Sequence, residues 1–289
     1  MQGTILRGVG GFYYVRTEEE EKVWQCRARG IFRKDGEVPC VGDRVIVEPL
    51  DEEEAVLNEI LPRKNRFIRP PVANVDLLVI VAALRDPSPN LPSIDRFLVM
   101  AEKHRTEILL CLNKTDLVTE QETERVADVY RGLYPVFPVS GCTGRGTEAL
   151  RKALWGKSSA LAGPSGVGKS TLLNALAGEA LMETGAIGGK SRRGKHTTRH
   201  AELFRWEGGL LFDTPGFTSF DVLEAEEEEL QFLYPEIGAL AGRCRFDNCR
   251  HVKEPDCRVR EAAAAGEIHP SRYESYLTLL KEIQEKRKY

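Results

Sequence analysis

The octapeptide GPSGVGKS at Gly163–Ser170 restricts what this chain can fold into more than any other stretch. SSALA before it is apolar and strand-like, and KSTLLNALAG after it has helical spacing, so the loop joins a strand to a helix. Its glycines let backbone N–H groups turn inward around an anion, and the dipole of the following helix favours negative charge there. A loop of this kind needs a buried strand behind it and helices packed against the sheet. That requirement means an α/β domain with a mostly parallel sheet.

The neighbouring sequence supplies the rest of such a domain. VDLLVIVAAL, EILLCLNK, YPVFPVS, SSALAGPSG and GLLFDTPG read as strands. Between them, PSIDRFLVMAEKHR places Ile94, Phe97, Leu98 and Ala101 at helical spacing, and TEQETERVADVYRGL opens with Thr119 and Glu122 in capping-box positions. Residues 1–68 differ in texture: five short runs (GTILRG, GFYYVRT, KVWQCRARG, DRVIVEP, AVLNEIL) separated by turn residues suit a small closed barrel of the OB type. Pro70-Pro71 marks a boundary. After Phe217 no strand is expected, and 221–289 reads as mainly helical, closed by a helix with Tyr273, Tyr276, Leu277 and Leu280 on one face. The expected division is 1–68, 69–220 and 221–289, which 289 residues readily accommodate.

Composition excludes some classes. With 42% hydrophobic and 29% charged residues the chain is globular rather than disordered. The formal net charge of −3 says little about partners, and the acidic runs (Glu18–Glu21, Asp51–Glu54, Glu226–Glu229) read as solvated loops or helix starts. The N-terminus has no secretory pattern and no stretch approaches the length of a membrane span, so a cytoplasmic protein without membrane or DNA partners is expected. Of the seven cysteines, Cys26, Cys40, Cys111 and Cys142 are scattered, which points to reduced thiols.

Chemistry is carried by short motifs at strand ends. Gly163, Pro164, Ser165, Gly166, Val167 and Gly168 would wrap phosphate oxygens. Lys169 would reach the β- and γ-phosphates and Ser170 would ligate Mg²⁺, with Thr171 also among the nucleotide-binding residues. The base is named by Asn113-Lys114-Thr115-Asp116, because a carboxylate at Asp116 can accept two hydrogen bonds from guanine N1–H and the 2-amino group, which adenine lacks. Ser140 and Gly141, after the next strand, would form a second base-contacting loop. Asp213 would hold Mg²⁺ through a water and the Gly216 N–H would meet the γ-phosphate. Thr197 or Thr198 would complete the magnesium contacts; the neighbouring hydroxyls leave the choice open, with Thr198 preferred. These are all five signatures of a GTPase, in the order fourth, fifth, first, second, third: a circular permutation.

Two further features lie outside those motifs. Cys244-x4-Cys249-x-His251-x5-Cys257 offers three thiolates and an imidazole, a closed tetrahedral set for structural Zn²⁺. Phe217 occupies the place where many GTPases carry a water-orienting Gln. Slow intrinsic turnover follows, and His196 in the segment GGKSRRGKHTTRH is the candidate to orient water, the alternative being a structural or RNA-facing histidine.

A permuted GTPase between an OB-like barrel and a Cys-x4-Cys-x-His-x5-Cys domain resembles the RsgA/YjeQ family over essentially the whole chain. The resemblance implies GTP hydrolysis to GDP stimulated by the small (30S) ribosomal subunit, a role in late 30S maturation, and barrel and zinc-domain contacts to 16S rRNA, with the protein a monomer. RGKHTT resembles that family's basic switch segment. Arg7, Phe12, Tyr13, Tyr14, Arg27, Arg29 and Lys34 in the barrel, and Arg243, Arg245, Arg250, Arg258 and Arg260 around the cysteines, are residue types suited to RNA, although some of these aromatics must be core. The alternatives are a related permuted GTPase of the large subunit, which the barrel and zinc cluster oppose, and an RNA-binding assembly or translation-checkpoint factor that uses GTP as a latch.

Overall fold

The structure is a computed structural model that describes residues 1–20, 22–30, 32, 37–177, 201–206, 208–213, 217 and 224–286. Lys34, His196, Thr197, Thr198 and Gly216 lie outside the described residues. In chain order the elements begin with five strands, Gln2–Val9 (β1), Phe12–Thr17 (β2), Val23–Ala28 (β3), Arg44–Pro49 (β4) and Glu54–Ile60 (β5), then two short ones, Arg66–Phe67 (β6) and Val72–Ala73 (β7). Leu77–Ala83 (β8), Leu91–Lys103 (α1), Glu107–Asn113 (β9), Glu120–Tyr130 (α2), Val136–Pro138 (β10) and Thr147–Leu154 (α3) follow. Ser158–Ala162 (β11), Lys169–Ala177 (α4), Glu202–Trp206 (β12) and Gly209–Asp213 (β13) come next, and Pro235–Ala241 (α5), Arg258–Ala265 (α6) and Pro270–Lys286 (α7) end the chain. None of the described helices is long and apolar enough to cross a membrane.

The chain divides into two compact units. The first comprises Met1–Leu78, Glu148–Leu161 and Leu173–Thr218. Here period-two alternation sends Ile5, Val15, Trp24, Cys26, Val45, Val47, Ala55 and Leu57 into one core. β1 pairs antiparallel with β2 and β4, β2 with β3 and β4 with β5 likewise, while β3 runs parallel to β5. The strands therefore close into the expected OB-type barrel, which leaves no free edge. One pairing was not foreseen. ELFRW at 202–206 forms β12, antiparallel to β13 and, at Arg7 and Glu202, to β1. β13 in turn runs parallel to β11. Phe217 is wholly buried in this unit, its ring set edge-on against Phe67 at 5.2 Å.

The second unit comprises Val79–Thr147, Ala162–Leu172 and Ser219–Tyr289. β9 and β10 run parallel, as expected for an α/β sheet. α1 starts at Asn90, whose side chain accepts from Ser93 N, and the expected capping box of Thr119 and Glu122 starts α2. Among the described residues no strand follows β13, as expected. α7 buries Tyr276 and Leu280 of the expected face, but its inward side is rotated from the other two residues of that face. Arg272, Ser275, Tyr276, Leu279, Leu280 and Ile283 are buried, whereas Tyr273 and Leu277 are half-buried. Arg272 can be buried because Asp95 Oδ1 on α1 accepts from its Nη1 at 2.6 Å and Glu236 Oε1 on α5 accepts from its Nε at 2.7 Å. Its guanidinium also stacks on the Tyr234 ring, 4.5 Å from the centroid. A charge enters a protein interior only when so paired. The acidic run 226–229 is likewise more than a solvated loop: Glu229 accepts from Lys103, and Glu227 and Glu228 hold Arg250.

Candidate nucleotide and metal sites

The phosphate-type loop leaves buried β11 and enters α4 through two backbone positions that only glycine can occupy. Gly163 has φ 148°, and a Cβ there would stand 2.2 Å from the Val81 carbonyl oxygen. Gly168 has φ 94°, and its Cβ would stand 2.4 Å from Asn113 Nδ2. Lys169 Nζ donates to the carbonyls of Gly163 at 2.5 Å and Pro164 at 2.8 Å, which folds the ammonium over the loop. Burial pushes its pKa down to about 8, so a phosphate arriving beside it would restore favourable surroundings for the charge. Val167 is buried, whereas Ser165, Gly166, Ser170 and Thr171 are exposed, leaving the loop open to a ligand. The Ser170 hydroxyl, in the first turn of α4, is free to reach a Mg²⁺ carried in with phosphates.

Asn113, at the end of β9, holds this loop to two others. Its Nδ2 donates to the Val167 carbonyl at 2.9 Å, and its Oδ1 accepts from Gly141 N at 3.0 Å. Asn113 is 2% exposed; its bond to Val167 is buried, where a polar pair is worth most, and its bond to half-buried Gly141 is partly so. Lys114 adopts the left-handed conformation, which turns its side chain back over the loop, where Nζ donates to Gly166 O at 2.8 Å and to Asp86 O. Thr115 N donates to Val139 O, which ties the strand end to the approach of the next loop. Asp116 is exposed in the short 3₁₀ turn Thr115–Leu117. Ser140 is wholly buried and its Oγ accepts from Thr143 N, shaping the loop that presents Gly141. The fourth, fifth and first sequence motifs therefore meet around one asparagine. Asp213 ends β13 in the first unit.

The Cys/His set also assembles. The ligand atoms of Cys244, Cys249, His251 and Cys257 all lie within 4.8 Å of one another. His251 Nδ1 is 3.6 Å from Cys244 Sγ and 3.3 Å from Cys257 Sγ, and those two sulfurs are 3.9 Å apart. Zinc–sulfur bonds of about 2.3 Å in a tetrahedron imply edges of about 3.8 Å, near the three separations among Cys244, His251 and Cys257, with Cys249 Sγ within 4.8 Å of each, so the donor set suits Zn²⁺. Glu254, which sequence reasoning missed, shapes the ligand loop by accepting from the backbone N–H of Arg250, Val252 and Lys253. Burial opposes its charge, but those N–H groups outweigh it and hold the carboxyl down at about 2. Of the remaining cysteines, Cys26, Cys40 and Cys111 are buried and Cys142 is exposed, and burial pushes the Cys26 and Cys40 thiols up to about 12.

The residues named for RNA separate by environment. Phe12 and Tyr14 face outward under Arg27 and Arg7, at 4.8 and 4.0 Å from guanidinium to ring centroid. Tyr13 packs against the barrel core. Arg245, Arg250 and Arg258 are engaged by Asp256, Glu228 and Glu261, and Arg260 donates to the Glu254 carbonyl.

Known proteins resemble the chain over nearly its whole length. The sequence profile of the RsgA GTPase matches residues 60–223, and that of the RsgA N-terminal domain matches residues 2–57. The small ribosomal subunit biogenesis GTPase RsgA of Caldanaerobacter subterraneus subsp. tengcongensis is 46% identical over 290 residues, covering 100% of this chain and 97% of that protein. The protein of the same name from Carboxydothermus hydrogenoformans is 46% identical over 286 residues, covering 98% of each chain. Among solved structures, YjeQ from Thermotoga maritima is similar with a TM-score of 0.84 at 38% identity, covering 98% of each chain. YloQ, described as a circularly permuted GTPase, is similar with a TM-score of 0.82 at 38% identity, covering 99% of this chain and 95% of that one.

Proposed function

Since this chain belongs to the RsgA GTPase family and is a GTP hydrolase, we propose that it works on the small ribosomal subunit, hydrolysing GTP to GDP and phosphate when docked there and assisting late 30S maturation. In this reading Asp116 accepts from guanine, Lys114 lies over the purine, and Asn113, Thr115, Ser140 and Gly141 shape the base site. Residues Gly163–Thr171 hold the phosphates, Ser170 and Thr198 reach the Mg²⁺ that accompanies GTP, and Asp213 and Gly216 complete its surroundings. Cys244, Cys249, His251 and Cys257 hold one structural Zn²⁺. The division 1–68, 69–220 and 221–289 assigns these tasks to a barrel that meets 16S rRNA, a GTPase core and a zinc domain, in a monomer.

The observation that carries the ribosomal reading is the position of β1. Its Arg7 stacks on Tyr14 on the outer face of the barrel, while its backbone is paired with β12, the strand that directly follows the basic segment 188–200. Outward arginine–aromatic pairs are suited to phosphates and unstacked bases. RNA docking at Arg7 is thus one strand pairing removed from β12, which residues 188–200 precede in the sequence. Phe217 supports the same view: its ring is sealed against Phe67 and cannot orient water, so basal hydrolysis is slow and the activating group comes from elsewhere.

Single-turnover hydrolysis with and without saturating isolated 30S particles tests the proposal. Addition of 30S should accelerate hydrolysis, with the stimulation falling as salt is raised. His196→Ala should retain GTP and 30S binding and lose about 10²-fold of the stimulated rate. A rate unchanged by 30S would favour a nucleotide latch. An unchanged rate in the alanine variant would remove His196 from catalysis.

A further inference from the structure

The acidic run 226–229 leads straight into a buried glutamine. Gln231 lies in the 3₁₀ turn Leu230–Leu233, 9% exposed, with its Nε2 donating to the Glu228 carbonyl at 3.1 Å. Its Oε1 is 2.9 Å from His251 Nε2. A backbone carbonyl can only accept, so the amide nitrogen must face Glu228, and the amide oxygen is left for the ring. An oxygen at that distance requires the hydrogen on Nε2. The lone pair is then on Nδ1, the atom that faces the sulfurs of Cys244 and Cys257.

We propose that Gln231 is the positioning residue of the zinc site, locking His251 into the tautomer and rotation that make Nδ1 the ligand. The inference rests on the four-ligand reading above and adds a residue outside the Cys-x4-Cys-x-His-x5-Cys pattern. The main chain around the ring is held separately, since Tyr273 Oη donates to His251 O at 2.6 Å and Tyr276 Oη donates to Arg250 O at 3.1 Å. Removing the amide therefore frees the ring while leaving the loop in place. Outer hydrogen bonds of this kind raise imidazole basicity and cut the entropy lost on metal binding, and their loss costs about 10–100-fold in affinity. The bond also fastens the metal loop to the segment whose carboxylates grip Lys103 and Arg250.

The experiment measures zinc affinity of the full-length protein by competition with a chromophoric chelator, for wild type, Gln231→Leu and Gln231→Glu. Wild type should bind one zinc. The leucine variant should bind about 10–100-fold more weakly yet show unchanged far-ultraviolet circular dichroism when zinc-saturated. The glutamate variant keeps an oxygen for Nε2 but sets its second oxygen against the Glu228 carbonyl, so it should bind above the leucine variant and below wild type. Equal affinities in a folded leucine variant would overturn the proposal. A wild type that takes up no zinc would instead sink the four-ligand reading, and this role with it. Should the leucine variant not fold, a long-range ¹H–¹⁵N spectrum of zinc-loaded wild type decides: hydrogen on Nε2 and metal on Nδ1 are expected, and the reverse assignment refutes the claim.

Discussion

Replacing Asn113 with Ala should damage the nucleotide site by releasing the loops that its side chain ties together. The substitution orphans two backbone groups, the Val167 carbonyl and the Gly141 N–H, which now bond to the amide at 2.9 and 3.0 Å. A buried polar group left without a partner costs about 1–3 kcal/mol. Val167 is 2% exposed and should incur most of that cost, whereas half-buried Gly141 can recover part of it from water. Together with the small void left by the amide, the expected loss is about 2–4 kcal/mol. Urea denaturation of the nucleotide-free protein measures that loss. Fluorescent GDP titration measures its consequence, because loops no longer tied together must be ordered at the ligand's expense: each 1.4 kcal/mol is about tenfold in Kd, so about 10–100-fold weaker binding is expected. Asn113→Asp, which turns an acceptor towards the Val167 carbonyl, should be no milder. If the alanine variant matched wild type in both stability and GDP affinity, the argument that Asn113 binds the three loops together would be wrong.

Asp116→Asn should weaken GTP and improve xanthine-nucleotide binding in competition titrations, because xanthine presents an oxygen where guanine has its 2-amino group; unchanged GTP preference would remove Asp116 from the base site. Lys169, held down at about 8 by burial, loses its charge as pH rises through that value, and phosphates favour the charged form. GDP affinity should therefore be full below about pH 8 and decline above it, well before an ordinary lysine would titrate. Arg272→Met strands Asp95 and Glu236, which are 0% and 10% exposed, and should cost about 3–5 kcal/mol by thermal or urea unfolding, as is usual for one member removed from a buried ion group. Phe217→Gln should fail to supply a water-orienting amide and should destabilise by about 3 kcal/mol or more, because the side chain points at Phe67 inside the core. Raised basal hydrolysis in a stable variant would contradict that geometry.

Whatever depends on near neighbours along the chain could be read directly. The five barrel strands follow from alternation and turn residues, α2 from its Thr119–Glu122 box, and the phosphate loop from a strand, three glycines and a helix start, because backbone conformation and side-chain direction repeat with short periods. The metal ligands were legible for the same reason: four donors lie within fourteen residues, from Cys244 to Cys257. Motif order, and with it the permutation, is a property of the sequence outright. Tertiary structure decided where those parts meet. Asn113 finds Val167 across 54 residues and Gly141 across 28, since a buried amide takes its partners from whatever backbone the fold brings near. β12 carries little signal in ELFRW alone and is defined by the strands on either side of it. Arg272 reads as a surface residue until Asp95, 177 positions away, and Glu236 surround it, and Gln231 is unremarkable until His251 turns its ring towards it. Burial of a polar or charged group is a collective outcome, set by distant partners that compensate its desolvation, and no local pattern encodes it.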